Sequence, residues 1–140
     1  MRKISEIILH CTASKSDPSV AIVTKWHVDQ GWDTIGYHFL IRVDGTIETG
    51  RQLERIGAHT KGHNTGTIGI ALNGLDQFSK EQFESCAKLI VKLKKRFGNL
   101  KISGHNEYSS KKCPVFNIDI IKGLVYGMEK VSDTSMGRRT

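Results

Sequence analysis

The sequence predicts an α/β fold: a single domain with a central mixed β-sheet flanked by helices. Three observations carry this reading. Short runs rich in Ile, Leu and Val alternate with longer stretches of helical period, which implies a sheet covered by helices. Asp44-Gly45 stands between two such runs and marks a tight hairpin, so one strand pair is antiparallel. The chain has 140 residues, 38% hydrophobic and 25% charged. That suits one buried core rather than a disordered polymer.

The elements follow in order. Residues 4–10 are rich in Ile and Leu and read as a buried strand ending at His10. Asp17-Pro18 opens a helix with Val20, Ile22, Val23, Trp26 and His27 at helical spacing, ending near Gly31. Residues 37–43 form a strand that turns at Asp44-Gly45 and returns over 46–49. Residues 55–66 hold Gly57, His59, Gly62, His63, Asn64 and Gly66, and read as a loop, the kind of segment that carries chemistry. Residues 67–73 are another strand. Ser79 is an N-cap with Gln82 as its capping-box partner. The helix behind it sets Phe83, Cys86 or Ala87, Ile90, Leu93 and Phe97 on one face and stops at Gly98-Asn99. A short strand over 100–103 leads into the segment around His105. A final helix covers about 117–128, and residues 132–140 read as a flexible tail after a domain over 1–131.

Composition narrows the function classes. No segment has the length and apolarity of a signal peptide or a membrane span, so a soluble product made in the cytoplasm is expected. Cys11, Cys86 and Cys113 form an odd, widely spaced set, which argues against a disulfide framework. The net charge is +7 with a pI near 9.5, compatible with an anionic polymer as partner. The lysine-rich stretch 88–101 lacks the interleaved aromatics of a nucleic-acid stacking platform, so no nucleic acid is expected.

Chemistry concentrates in residues 104–114, GHNEYSSKKCP. His105, Lys111 and Cys113 fall within nine residues, a trio suited to a metal site or to a nucleophile site. His10 at a strand end, with His105 and Cys113, makes a His2Cys zinc set. Three protein ligands leave a fourth position open, the catalytic arrangement. A Cys–His peptidase with Cys113 as nucleophile is the alternative on spacing alone.

The segments IILHCTAS, WHVDQGWDTIGYHFLIRVDGTIETGR, IGAHTKGHNTGTIGIAL and GHNEYSSKKCP resemble the zinc-dependent N-acetylmuramoyl-L-alanine amidases. The type is that of bacteriophage T7 lysozyme, related to the peptidoglycan recognition proteins. The resemblance runs from about residue 5 to 122, in order and with matching gaps. It implies zinc held by His10, His105 and Cys113, one ion per chain. It implies a catalytic Tyr37 and a catalytic Lys111, the lysine two residues before the cysteine. His59 matches a cleft-lining position, and Asn64 ties its loop together or meets the stem peptide.

The implied substrate is the amide between N-acetylmuramic acid and L-alanine in peptidoglycan, with stem peptide and glycan as partners. The implied biology is a monomeric phage or prophage endolysin that reaches the wall after release. T7-type members carry an extra N-terminal segment that binds the phage RNA polymerase. This chain begins almost at its first strand, so polymerase binding is not expected. The 74–78 linker is shorter than in the T7 type, which implies a more open cleft rim. His38, on the strand face opposite Tyr37, is expected to be structural. His27 is expected in the core or behind the site, and Cys11 and Cys86 are expected to be buried.

Overall fold

The structure is a computed structural model that describes the backbone of residues 1–138 and the side chains of 1–131. Among the described residues, five strands form one sheet: β1 (Glu6–Cys11), β2 (Phe39–Ile41), β3 (Ile47–Thr49), β4 (Thr67–Leu72) and β5 (Lys101–Gly104). Their order is β3-β2-β4-β1-β5. Strands β2 and β3 pair antiparallel; β2 with β4, β4 with β1 and β1 with β5 are parallel. This is the mixed sheet that the hairpin and the strand–helix alternation predict. Asp44 and Gly45 make the turn, Gly45 at φ +91°, a conformation costly for any residue with a Cβ.

Period-two alternation sorts the central strands between two faces. Ile7 and Leu9 of β1 pack with Ile68, Ile70 and Leu72 of β4, and with Phe39 and Ile41 of β2. Helix α2 (Lys80–Phe97) covers this face with Cys86, Ala87, Leu89, Ile90 and Leu93, and helix α3 (Ile118–Arg138) adds Ile121 and Val125. Each fully buried Ile or Leu contributes about 1.5–3 kcal/mol. The predicted capping box is present: the Ser79 hydroxyl accepts from Gln82 N at 3.0 Å, and Gln82 Oε1 accepts from Ser79 N at 2.9 Å. Gln82 Nε2 also donates to Ile41 O and Asn73 O, which ties the head of α2 to the ends of β2 and β4.

The opposite face carries a smaller cluster of Val23, Ile35, Leu40 and Ala71 under helix α1 (Val20–Asp29). Ser19 caps α1, just after the expected Asp17-Pro18 opening. Gly31, at φ +98°, stands just past its end. Val23 and His27 are the buried residues of the expected apolar stripe; Ile22 and Trp26 are exposed. Helix α1 therefore leaves room on this face of the sheet.

The expected strand over 37–43 is shorter than predicted, because regular pairing begins only at Phe39. Strand alternation therefore does not separate Tyr37 from His38: the Tyr37 ring packs beside His10 and the His38 ring beside His59, and those two histidines touch each other. Helix α3 runs on past residue 128, where the sequence pattern ends it. The expected tail over 132–140 falls where side chains are not described, and residues 139–140 lie outside the described residues.

His38 is structural, as expected. Its Nδ1 accepts from Gly69 N at 3.1 Å, and its Nε2 lies 2.9 Å from Arg55 O and 3.1 Å from an Arg2 guanidinium nitrogen. Burial pushes its pKa down to about 4. The unfolded chain protonates this ring near the ordinary value of 6.5, but the folded chain does not until about pH 4. The stability tied to neutral His38 is complete above pH 6.5 and is lost as pH falls toward 4. At full extent it amounts to about 3 kcal/mol. Melting midpoints taken between about pH 7.5 and about pH 4 should fall steadily; a flat profile would contradict this.

Candidate metal centre and cleft

His10 sits near the end of β1, and its side chain takes the α1 face because Leu9 and Cys11 flank it on the other. Strand β5 runs parallel beside β1 and ends at Gly104, which delivers His105 to the same end of the sheet. A Cβ on Gly104 would lie 2.7 Å from Asn106 Oδ1 and 3.0 Å from Pro114 Cδ. Glycine there lets the chain after Cys113 fold back onto β5. Further along the segment, Tyr108 O–H and Ser103 O–H both donate to Glu6 Oε2 of β1, at 2.5 and 2.6 Å. The segment is thus anchored to the strand that supplies His10.

The result is a trio of two buried histidines and a half-buried cysteine. One ligand atom from each of His10, His105 and Cys113 lies within 4.8 Å of the other two. The His10 and His105 ring centroids are 4.6 Å apart, and Cys113 Sγ is 3.9 Å from His10 Nδ1. Cys113 Sγ accepts from Cys11 N at 3.0 Å. Two imidazoles and one thiol converging on a single point are the donor chemistry of a zinc site with an open position, so these residues fit the ion.

Burial first, then the neighbouring His59, His105 and Lys111 charges, pushes the His10 pKa well down. Burial, then Lys111, lowers the His105 pKa too. Both rings are therefore neutral near pH 7, the form that ligates. The Cys11 thiol and burial push the Cys113 thiol up, while Lys111 and the Cys11 N–H pull it down. Metal binding at Cys113 must therefore displace a proton.

A cleft of about 590 Å³ opens beside the trio, lined by Trp32, His59, Asn64, His105, Tyr108 and Lys111 among others. Lys111 lies on this wall and Lys112 does not. Tyr37 is half-buried, its ring centroid 5.2 Å from that of His10 and 5.4 Å from that of His27. Burial, then the charges of Cys113 and Cys11, pushes the Tyr37 phenol up, so it keeps its proton near neutral pH. His27 Nδ1 accepts from Gly36 N at 2.9 Å, placing it behind the site. Cys11 and Cys86 are buried, as expected. The short 74–78 linker borders a separate hollow of about 570 Å³ with Ser14, Lys15 and Ser16.

The glycine-rich loop closes over the α1 face. Asn64 Oδ1 accepts from His59 N and Thr60 N, so Asn64 ties the loop together. His59 is buried, with Nδ1 2.9 Å from His10 Nε2. Burial, then His38 and His105, holds its pKa down to about 3. Its ring lies on Gly69, where a Cβ would come within 2.5 Å. A lone glycine inside a strand is the sequence signal for such a close approach. Gly69→Ala is expected to cost about 1–3 kcal/mol through overpacking, checked by denaturant melts; unchanged stability would show that the ring can move aside.

Comparisons with known proteins identify the family. The model of the family described as N-acetylmuramoyl-L-alanine amidase matches residues 1–116. The chain is 35% identical to an endolysin of Klebsiella phage KP32 over 127 residues, 84% of each protein. It is 36% identical to the endolysin of Escherichia phage T7 over 122 residues, 80% of this chain and 81% of that one. Among solved structures, the amidase LysC of Clostridium intestinale superposes with a TM-score of 0.82 at 29% identity, covering 87% of this chain and 85% of that one. With this fold, this cleft and these relatives, the chain belongs to the N-acetylmuramoyl-L-alanine amidase family, in its T7 lysozyme and peptidoglycan recognition branch.

Proposed function

We propose that this chain is a zinc-dependent N-acetylmuramoyl-L-alanine amidase working as a phage or prophage endolysin. It hydrolyses the amide between the lactyl group of N-acetylmuramic acid and the L-alanine of the stem peptide. The observation that carries the metal-dependent reading is the convergence of His10, His105 and Cys113 beside the open cleft. Zinc, when bound, supplies Lewis acidity toward the amide carbonyl and makes water nucleophilic near neutral pH.

The chain's own groups do the rest. Lys111 presents a mobile ammonium on the cleft wall, where it stabilises the negative charge that grows on the carbonyl oxygen. Tyr37 keeps its proton and donates a hydrogen bond beside His10; it is not the base. His59 and Asn64 shape the loop side of the cleft, where the stem peptide and glycan lie. Residues 1–131 carry the activity as a monomer, made in the cytoplasm and acting on the wall after release. The net charge of +7 adds weak attraction to an anionic wall.

The test is to purify the protein, measure bound zinc, and assay stem-peptide release from peptidoglycan with and without a chelator. One zinc per chain and chelator-sensitive release are expected. Chelator-resistant cleavage would sink the metal mechanism, and tight wall binding without release would mark a recognition protein instead.

A further inference from the structure

We propose that His59 and Thr67 form a one-way hydrogen-bond chain that fixes the tautomer of His10, making His59 a positioning residue for the metal centre. This rests on the zinc reading above. At the far end, Thr67 Oγ1 lies 2.9 Å from His63 O and 3.0 Å from Asn64 O. Carbonyl oxygens only accept, so the single Thr67 hydroxyl proton points to them. Toward the His59 Nε2, 3.4 Å away, Thr67 Oγ1 is then left with lone pairs. His59 therefore carries its proton on Nε2, and its Nδ1 is an acceptor.

His10 Nε2 stands 2.9 Å from that acceptor. It holds the proton and donates, which leaves the His10 Nδ1 lone pair free. Nδ1 is the nitrogen that faces Cys113 Sγ. The reverse order would turn the Thr67 proton away from two carbonyls at 2.9 and 3.0 Å toward a nitrogen at 3.4 Å. The Thr60 hydroxyl lies 2.9 Å from His59 Nδ1 and 3.3 Å from His10 Nε2. It either shares the single Nδ1 lone pair as a donor or accepts from His10 Nε2 on its oxygen, and both leave the order unchanged.

Burial against Gly57 and Gly69 holds the His59 ring in this chain; an added Cβ would come within 2.5 Å of it at each. Neither His59 nor Thr67 is among the three candidate ligands. Their contribution is to the orientation and proton state of a ligand, and a histidine ligand's partner of this kind is worth about 10- to 100-fold in metal affinity.

Three variants test the chain, read by zinc affinity in competition with a chromophoric chelator and by the melting point of the metal-free protein. His59→Phe keeps a ring over Gly57 and Gly69 but removes the acceptor; its zinc affinity should fall by about 10- to 100-fold. His59→Asn puts Oδ1 where Nδ1 was and should restore most of the affinity. Thr67→Val, which touches no ligand, should weaken zinc in the same direction by a smaller factor. Parental zinc affinity in His59→Phe overturns the proposal. So does a His59→Asn protein that binds as poorly as His59→Phe, because the ring's shape and not its acceptor would then matter. If His59→Phe does not fold, His59→Asn and Thr67→Val decide, and parental affinity in Thr67→Val overturns the chain. If the parent chain takes up no zinc, the metal centre itself is wrong, a result separate from any difference among the variants.

Discussion

Cys113→Ser is expected to abolish zinc retention and to lower kcat/KM by about 10³-fold, several kcal/mol of transition-state stabilisation. Serine is close in size but is a poor zinc ligand, since its hydroxyl does not ionise near neutral pH as a metal-bound thiol does. The contacts Cys113 makes in the metal-free protein are modest: an N–H from Cys11 at 3.0 Å, a weak donation to Cys11 O at 3.5 Å, the Cys11 thiol, and His10 Nδ1 at 3.9 Å. The metal-free melting point should therefore stay near the parent's while zinc content and peptide release both collapse. A Cys113→Ser protein that keeps its zinc and its activity would remove this residue from the metal centre. One that loses zinc yet keeps activity would return the chemistry to the other side chains of the cleft.

Lys111→Met is expected to leave zinc content unchanged and to lower kcat by about 10²- to 10³-fold, the usual effect of removing one stabiliser of a developing oxyanion. Methionine keeps the length and apolar stem of the side chain and deletes the charge. The ammonium acts only where negative charge forms, so KM should move much less than kcat. Lys112→Met is the control, because Lys112 is exposed and does not line the cleft. Equal losses in the two variants would mean that general positive charge, not placement, matters. Full activity in Lys111→Met would take this lysine out of the mechanism.

Much of the fold is legible in the residues themselves, and the candidate site through the family resemblance. Spacing alone leaves a metal site and a nucleophile site open; the resemblance to the amidases singles out His10, His105 and Cys113, and folding brings those three side chains together. The Ser79–Gln82 capping box and the Asp44-Gly45 turn are legible because each depends only on neighbours in sequence. What sequence reasoning misses depends on distant parts. Strand β2 starts late, so alternation does not place Tyr37 against His38. Part of the apolar stripe of α1 stays exposed because this helix covers only part of its sheet face. His59 lines the cleft as expected, yet its Nδ1 is engaged by His10, a contact across 49 positions that no local pattern encodes. Thr60 and Thr67 give no signal at all; a threonine in a loop or at a strand start is ordinary until its hydroxyl's partners are known. Gly69 does leave a trace, as a glycine between two isoleucines of a buried strand.

The place of β1 in the sheet has a consequence for the order in which the molecule assembles. Strand β1 leaves the ribosome ahead of the other four, yet it sits second from one edge. Both its neighbours come much later: Glu6 lies beside Thr67 on one side and Lys101 on the other. Parallel pairing at such separations makes folding slow and late, since the loops must close before any strand contact compensates. Synthesis of the N-terminal half therefore yields no half-active enzyme. His10 waits, without its partners, until residue 113 has emerged and β5 has docked. The candidate site is thus complete only late in the chain's own synthesis.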